Sequence, residues 1–506
     1  MNVDHLLSSF DMVFTWYNLL AIVAGVVLGM LFGVTPGLDA TSGTSLLLAF
    51  TYSLSQETAL IFLCALYMAA TYSGSITAIT VGIPGTPASA STVLDGYELN
   101  KQGKAGKALA ISISSAVIGG LIGTVALVSL TAPLANIAVK FSAPEYFMLA
   151  LIGLLIIGGL LGNSRVKGIA MAIVGLFITV IGLDPFTGYP RFTFGFMELM
   201  EGISYIPVMI GMFAISEALF MITTLDQKNP YKSGTINNNW PNRKEWKQMV
   251  KPMASAGVIG TFLGALPGIG AATANWVTYN EAKRISKEPE MYGKGSIEGL
   301  ASSEVGAMAT VSSSMIPMFT LGIPGSTTDA VLIGALIMHG IVPGPQLMTR
   351  NADLVYSVFI ALFVIIAIMF IVGAFGVKFW VKMLQAPKGL IVSIILTMSV
   401  VGAFSLKNSL MDVWIMFASG ILAFVLRKYG YPIVPLILGM VLGQLMQDNF
   451  RRALIMSGNG FEIFLTRPIS LVILLFIVIG LVYPLLKNGT KGKQKKKHSS
   501  EVIISD

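Results

Sequence analysis

The sequence predicts an all-α polytopic membrane protein, and three observations predict it: composition, long apolar runs and an internal repeat. Hydrophobic residues make up 54% of the 506 residues and charged residues only 11%; the mean hydropathy is +0.77. Such a chain carries more apolar side chains than a water-facing fold can bury. We expect about ten to twelve transmembrane helices, in inverted repeats with discontinuous or re-entrant helices.

Long apolar runs identify the spanning elements as helices. Segments such as YFMLALIGLLIIGGLLG and ISLVILLFIVIGLVYPLL can each cross roughly 30 Å of hydrocarbon as a helix. A transmembrane β-barrel would instead alternate polar and apolar residues. The single cysteine, Cys64, lies in the apolar run ALIFLCALYM. An intrachain disulfide and CxxC metal chemistry are therefore excluded, and no metal site is expected.

An internal repeat divides the chain into two related halves. GMLFGVTPG at 29–37 and GTFLGALPG at 260–268 share the pattern G-x-x-x-G-x-x-P-G. VGIPGTPAS at 81–89 matches LGIPGSTTD at 321–329. Each half thus carries a PG motif and, further along the chain, an IPG motif, which is the signature of a duplicated structural unit.

The repeat and the polar stretches predict five segments. A hydrophilic stretch with an Asn run and two prolines is typical of a linker. The basic end of the chain indicates a solvated segment that sets the membrane topology rather than a nucleic-acid site. The segments are a first membrane repeat at 1–224, a cytoplasmic linker at 225–250, a second repeat core at 251–350, additional transmembrane helices at 351–487 and a basic cytoplasmic tail at 488–506.

Positive charge predicts the orientation, because cytoplasmic loops carry an excess of Lys and Arg. The basic clusters lie at 101–107, at 165–167, at 228–251 and in the tail. This pattern predicts an outer N-terminus and an inner C-terminus. The segment 53–59 after the first PG motif has no Lys or Arg, whereas 281–294 after the second has four. The two repeats are therefore expected to face opposite sides, although Arg451, Arg452 and Arg467 fall on the outer side.

Each PG and IPG motif predicts a break in a membrane helix. Breaks leave backbone N–H and C=O groups unpaired at several kcal/mol each in lipid. Secondary transporters use these groups and the half-helix ends to hold solutes and ions. The alternative is simple packing, since Gly260 and Gly264 have the G-x-x-x-G spacing of closely packed helices. The duplication of the motifs favours a transport site.

Residues at and beside the breaks are the candidates for binding substrate. No Lys or Arg occurs within 12–100 or 295–349, so backbone N–H groups at half-helix N-termini and hydroxyls are the groups available for an anion. The candidate substrate-binding residues are Pro36, Gly37, Thr41, Pro84, Gly85, Thr86, Pro267, Gly268, Asn275, Pro324, Gly325 and Ser326.

Three acidic residues are the candidates for a coupling-ion site, namely Asp39, Glu304 and Asp329. A carboxylate within a membrane segment costs on the order of 3 kcal/mol on insertion scales, which makes each a functional candidate. The alternatives are structural. Asp39 can cap the helix that follows Pro-Gly, and the other two can lie at solvated helix ends. No catalytic residue is expected, and the only cofactor considered is Na⁺ as the coupling ion.

Longer stretches around the motifs carry a resemblance to a known family. GTFLGALPGIGAATANWVTYNEAK, IPMFTLGIPGSTTDAVLIGALIMHGIVPGPQL and GSITAITVGIPGTPASASTVLDGYELNKQGKAGKALAIS resemble the TctA family, the large membrane subunit of tripartite tricarboxylate transporters. The resemblance implies import of citrate-like di- or tricarboxylates, driven by Na⁺ or H⁺, in the cytoplasmic membrane of a bacterium or archaeon. It also implies two partners, a TctC-type extracytoplasmic solute-binding protein and a small TctB-type membrane subunit.

The chain differs from the family pattern at two places. Leu38 and Asp39 follow the first PG motif, where family members often have a Gly-rich stretch, and VGAMA follows Glu304, where they often carry Asn. Both places lie in presumed binding regions, so a substrate other than citrate stays open. PGIGAAT lacks the G-K-[ST] ending of a phosphate loop, and we expect no enzyme. An ion channel also uses broken helices and, with a stand-alone anion permease, remains the alternative.

Overall fold

The computed structural model describes residues 3–160, 165–225, 239–384, 386–458, 460–475 and 477–478. Most of the predicted linker, 226–238, and the whole predicted tail, 488–506, lie outside the described residues. The described part is built from α-helices, with a single two-residue antiparallel hairpin among its elements. Side-chain caps start several helices: Thr15 and Ser55 each accept a backbone N–H, and Asn242 forms a capping box with Glu245.

The described residues of the first half contain ten α-helices and the hairpin. They are α1 Val3–Val13, α2 Trp16–Val34, α3 Ala40–Leu48, α4 Gln56–Val81, α5 Thr92–Lys101, α6 Ala105–Ala138, α7 Ala143–Leu160, α8 Arg165–Ile178, β1 Gly182–Leu183, β2 Pro190–Arg191, α9 Tyr205–Met209 and α10 Ser216–Thr223. A π-helical stretch, Ile210–Ile215, joins α9 to α10 without a break.

The second half contains eleven helices among the described residues. They are α11 Arg243–Ala265, α12 Gly270–Ile285, α13 Ile297–Ser313, α14 Met315–Leu321, α15 Thr327–Met338, α16 Leu347–Arg350, α17 Ala352–Met383, α18 Lys388–Lys407, α19 Leu410–Lys428, α20 Val434–Met456 and α21 Ile463–Thr466. Short 3₁₀ turns lie at Ala49–Ser53, Pro87–Ser89, Met197–Leu199 and Pro289–Met291.

Seven of the described helices are long and apolar enough to cross a membrane by length and composition. They are α2, α4, α6, the continuous α9–α10 helix, α17, α18 and α19. Shorter apolar helices lie within α7, α8 and α15. The prediction of an all-α polytopic membrane protein is confirmed, while the number of about ten to twelve membrane segments stays a prediction.

Glycines at equivalent positions pack the first helix of each repeat against its third helix. A Cβ added to Gly33 of α2 would overlap Ala70 and Ser73 of α4. A Cβ added to Gly264 of α11 would overlap Ser313 of α13 in the same way. The G-x-x-x-G spacing therefore does allow close helix packing. It does so in both repeats, immediately before the chain breaks.

The predicted breaks are present at all four motifs. The gaps between α2 and α3 and between α11 and α12 contain the PG motifs, where Gly37 and Gly268 have φ of +95° and +86°. The IPG motifs follow α4 and α14, which end at Gly82 and Gly322 with φ of +79° and +70°. An L side chain rarely adopts such left-handed backbone, and glycine does so without steric cost.

The two repeats interlock through reciprocal contacts. Helix α6 of the first repeat packs along α11 and α13, whereas α17 of the second half packs along α2 and α4. Helix α3 contacts α15, and α12 contacts the Pro87–Ser89 turn. Each short helix that follows a break therefore lies against a break of the other repeat, which brings the four motifs together.

The segments that follow the two PG helices lie near opposite ends of α4. Segment 53–59 contains the first turn of this helix, which is about 39 Å long at 1.5 Å per residue. At its other end, Asn100 Nδ2 donates a hydrogen bond to the Thr80 carbonyl, and Gln102 Nε2 donates one to the carbonyl of Lys294. The loop after α12 thus lies far from the loop after α3.

Two of the arginines that fall on the outer side of the orientation scheme are paired with acids. Arg451 Nη1 lies 2.7 Å from Asp184 Oδ1, and Arg467 Nε lies 2.8 Å from Glu145 Oε1. The Phe186 N–H and the Arg451 guanidinium lower the pKa of Asp184 to about 2. The positive charges of Arg451 and Arg467 are therefore balanced locally by the buried carboxylates of Asp184 and Glu145.

Candidate functional site

The four breaks surround one cavity of about 110 Å³. Its wall is built from five stretches that are distant in sequence but adjacent in space. These are Asp39 to Thr41 at the start of α3, Tyr67 and Thr71 of α4, Thr86 to Ala88 after the first IPG motif, Gly268 to Ala272 around the start of α12, and Ser326 to Thr328 at the start of α15.

Hydroxyl groups from both repeats meet at this cavity. Thr41 Oγ1 lies 3.0 Å from Thr327 Oγ1 and 2.9 Å from Thr328 Oγ1. The Tyr67 hydroxyl lies 3.0 Å from Ser326 Oγ. Because a hydroxyl both donates and accepts hydrogen bonds, this wall can serve either an anion or a cation.

Three helix N-termini also converge here, since α3, α12 and α15 all begin with residues of the cavity wall. The N-terminal end of a helix presents free N–H groups and the positive end of the macrodipole. The two breaks of the second repeat are joined directly, because the Gly268 N–H donates to the Gly325 carbonyl at 2.9 Å. None of the described residues that line the cavity is Lys or Arg.

The predicted substrate and coupling residues divide into those that line the cavity and those that do not. The lining residues are Asp39, Thr41, Thr86, Gly268 and Ser326. The remaining motif residues, Pro36, Gly37, Pro84, Gly85, Pro267, Pro324 and Gly325, form the breaks behind the wall. Asn275, Glu304 and Asp329 lie outside the wall, and each has a distinct environment.

Asp39 occupies the N-cap of α3. Its Oδ1 accepts hydrogen bonds from the Ser42 N–H at 2.7 Å and from the Ser42 hydroxyl at 2.8 Å. This is the geometry expected of a capping residue. The side chain is only partly buried and also lines the cavity, so capping and contact with a cavity ligand are compatible at this position.

Asn275 is fully buried, and its amide is already engaged. Oδ1 accepts the N–H of Ser91 at 2.8 Å, and Nδ2 donates to the Ser303 carbonyl at 3.2 Å. These bonds join α12 of the second repeat to the start of α5 and to α13. In this arrangement the amide positions helices around the cavity rather than facing it.

Glu304 and Asp329 are both buried, at 2% and 0% exposure, so neither lies at a solvated helix end. Glu304 Oε1 accepts a hydrogen bond from Thr92 Oγ1 at 2.7 Å. Neither carboxylate oxygen of Asp329 has a partner with full hydrogen-bond geometry among the described residues, although the hydroxyls of Ser314 and Ser326 lie close enough to interact with it. A buried carboxylate with so few partners is expected to be protonated or to bind a cation.

The structure also reveals a charged pair beside the first break that the motifs did not indicate. Glu217 Oε2 lies 2.8 Å from Arg427 Nη1, and Glu217 Oε1 lies 2.5 Å from the position of a Cβ on Gly37. The Arg427 guanidinium carbon lies 4.5 Å from the centre of the Phe220 ring. The sequence signals were the single charge Glu217 in α10 and the basic pair at the end of α19, and they did not reveal that Glu217 and Arg427 meet.

Two interlocked repeats of membrane helices, broken around a shared cavity with hydroxyl groups in its wall, are typical of the class of multi-pass membrane transport proteins. The family model described as the tripartite tricarboxylate transporter TctA family matches residues 19–438. The chain belongs to this family and is a subunit of a tripartite tricarboxylate transporter. The resemblance of the motif stretches is thereby confirmed, and the family is one of transporters rather than of enzymes.

Two curated relatives come from Agrobacterium vitis. The protein described as "Uncharacterized 52.8 kDa protein in TAR-I ttuC' 3'region" is 36% identical over 470 residues, which cover 92% of this chain and 93% of that protein. The "Uncharacterized protein in TAR-II ttuC' 3'region" is 36% identical over 211 residues, which cover 42% of this chain and 87% of that protein. No solved structure matches the chain.

Proposed function

We propose that this subunit carries di- or tricarboxylates across the membrane through the cavity at the four breaks, by secondary active transport. The observation that supports the proposal most is the convergence of three helix N-termini and a hydroxyl wall on one cavity whose described lining residues include no Lys or Arg. Helix N-termini are ready-made sites for carboxylates. The site can thus hold an anion without a fixed positive charge, among the described lining residues, that would trap it.

Coupling to a cation is part of the same proposal. A multiply charged carboxylate entering a negative cell interior is opposed by roughly 2.3 kcal/mol per charge per 100 mV. Accumulation therefore requires co-transported Na⁺ or H⁺. Asp39, Glu304 and Asp329 are three carboxylates at or near the cavity that can bind this cation, and the last two are buried.

The partners and the location follow from the family and remain part of the proposal. A tripartite system contains other subunits, which we infer to be a TctC-type solute-binding protein outside the membrane and a small TctB-type membrane subunit. We place the complex in the cytoplasmic membrane of a bacterium or archaeon. In this arrangement the binding protein captures the carboxylate, and the cavity receives it from the outer face.

Counterflow in proteoliposomes tests the function. The chain is reconstituted with its two partner subunits, loaded with unlabelled citrate or succinate, and supplied with the labelled anion outside. A carrier shows saturable, substrate-dependent counterflow, whereas an ion channel shows conductance without it. Full counterflow by this chain alone would instead identify a stand-alone permease. Absence of counterflow with every di- and tricarboxylate would contradict the proposal.

We further propose that the two repeats are inverted, which cysteine labelling tests. The positions of 53–59 and Lys294 at opposite ends of α4 support this topology. Ser53 and Glu290 are exposed, and in a Cys64→Ala background we expect Ser53→Cys to react with an impermeant maleimide from outside intact cells. Glu290→Cys is expected to react only after permeabilisation, as is the control Lys101→Cys. Labelling of Ser53→Cys and Glu290→Cys from the same side would refute the inversion.

Asp39→Asn separates a capping role from a coupling role. An Asn side chain keeps an oxygen that can accept the Ser42 N–H but loses the negative charge. If Asp39 binds the coupling ion, accumulation driven by the gradient is lost while exchange is retained. We expect this result, measured in vesicles with matched protein levels. Ser55→Ala, which removes the cap of α4 away from the cavity, is the control for lost capping alone. Normal accumulation by the Asn variant would remove Asp39 from the coupling site.

A further inference from the structure

A second polar cluster lies behind the cavity wall, around the carboxylate of Glu304. Thr92 Oγ1 donates to this carboxylate at 2.7 Å. The hydroxyls of Ser75 and Ser112 also interact with the Glu304 carboxylate. The Tyr72 hydroxyl lies close enough to interact electrostatically with this carboxylate. We call these five residues the Glu304 cluster. All of them are buried, at 2% exposure or less.

The hydroxyls of this cluster are not satisfied by the protein alone. Tyr72 OH and Ser112 Oγ are inaccessible to solvent and have no partner with hydrogen-bond geometry among the described residues. A buried hydroxyl without a partner costs roughly 1–3 kcal/mol. Protonation of Glu304 adds a single O–H donor and therefore cannot satisfy the remaining lone pairs. A bound metal cation attracts several oxygens at once.

We propose that the Glu304 cluster is a binding site for a sodium ion. The donor set consists only of oxygens, one carboxylate and several hydroxyls, and hard cations prefer such ligands. A bound sodium ion also explains the burial of the Glu304 charge, because buried charges in proteins are paired or coordinate metal ions. The inference rests on the proposed transport function and assigns one coupling ion and the place where it binds, in addition to the coupling role proposed for Asp39.

The position of the cluster explains how the ion acts on the cavity. Ser75 follows Gly74 in α4, and a Cβ on Gly74 would overlap Thr86 of the cavity wall. Thr92 begins α5, directly after the first IPG break, and Glu304 belongs to α13 of the second repeat. A sodium ion in the cluster therefore bridges the two repeats and holds the break that carries Thr86. Ion binding and carboxylate binding then favour the same arrangement of the wall.

Thermal unfolding of the purified full chain in lipid nanodiscs tests the site. NaCl is exchanged against KCl at constant ionic strength and pH, with the sodium ion alone as the probe. A ligand that binds only the folded state raises the melting temperature in a concentration-dependent way. We expect such a rise with Na⁺ and not with K⁺, and its loss in Glu304→Gln. Glu298→Gln removes a carboxylate from the same helix, outside the cluster, and is expected to keep the Na⁺ response.

Ser112→Ala and Tyr72→Phe give the sharper comparison, because each removes a hydroxyl that lacks a protein partner. In KCl both variants are expected to be about as stable as the parent chain, since neither hydroxyl has a partner with full hydrogen-bond geometry. In NaCl each is expected to bind Na⁺ about tenfold more weakly. These two variants also test whether the cluster binds Na⁺ if Glu304→Gln does not fold. Unchanged Na⁺ affinity in both, or equal melting temperatures of the parent chain in Na⁺ and K⁺, would overturn the proposal.

Transport measurements separate this inference from the function on which it rests. Carboxylate counterflow that proceeds fully in Na⁺-free buffer with a pH gradient would refute the sodium site while preserving the transport function. Specific Na⁺ stabilisation without any carboxylate counterflow would preserve the site and refute the function. We expect counterflow to require Na⁺ and to fail in Glu304→Gln.

Discussion

Replacing either Gly85 or Gly325 with alanine is expected to abolish most carboxylate uptake. These glycines occupy the same position of the two IPG breaks. A Cβ on Gly85 would lie 2.8 Å from the Gly74 Cα, and one on Gly325 would lie 2.9 Å from the Ser314 Cα. Both neighbours are backbone atoms, one in α4 and one at the junction of α13 and α14, and they cannot rotate away. Overpacking of this kind costs typically 1–3 kcal/mol, and every 1.4 kcal/mol corresponds to a tenfold change in an equilibrium.

Uptake and expression are measured together for both variants and for Gly389→Ala. A Cβ on Gly389, near the start of α18, would meet no atom within 4 Å, so this control should transport normally. We expect uptake to fall about tenfold or more in the two break variants at equal amounts of membrane-inserted protein. Normal uptake by Gly85→Ala and Gly325→Ala would show that the IPG breaks do not shape the transport path.

Asp95→Asn is expected to cause a large loss of stability. Oδ1 of this fully buried side chain accepts the N–H groups of Gly293, Gly295 and Ser296 at 2.8 to 2.9 Å, and Oδ2 accepts the Tyr279 hydroxyl at 2.9 Å. The three N–H groups can only donate, whereas the Tyr279 hydroxyl can also accept, so the –NH₂ group of Asn is placed toward Tyr279 and the three N–H groups lose their charged acceptor. Hydrogen bonds to a charged group are worth about 1.5–3 kcal/mol each, and we expect a loss of roughly 3 kcal/mol or more.

The melting temperature of the purified protein in detergent measures this effect. Glu98→Gln lies on the same helix and removes an exposed ion pair with Lys101, which is worth about 0–1 kcal/mol and serves as the control. Asp95 joins α5 of the first repeat to the loop before α13 of the second. Its loss is therefore expected to loosen the contact between the repeats. Equal melting temperatures of Asp95→Asn and Glu98→Gln would show that this contact is not important for stability.

The duplicated motifs allowed much of the site to be predicted. The two PG and two IPG motifs marked the four breaks, because proline and left-handed glycine disrupt a helix wherever they occur together. The absence of Lys and Arg from 12–100 and 295–349 matches a cavity wall without a basic residue. These are local or compositional properties, and they can be read without knowledge of the packing.

Other features of the site depend on contacts between distant residues. The pairing of Glu217 with Arg427 next to Gly37 joins three helices. Asn275 was expected to bind substrate, whereas its amide contacts Ser91, because a helical residue faces whichever neighbour the packing places beside it. No periodicity of one segment contains this information, since each contact depends on the relative position of two or more elements.

The sequence by itself determined the membrane environment, the duplication and the positions of the helix breaks. Apolar composition leaves lipid as the only solvent that suits the long runs, and a Pro-Gly pair prevents a continuous helix irrespective of its surroundings. Only the tertiary structure decided that the four breaks share one cavity and that Glu304 lies among hydroxyls of the other repeat. The reason is physical: the cavity and the cluster are formed by interlocked helices from both halves, and such packing depends on the complementarity of whole surfaces rather than on any single segment.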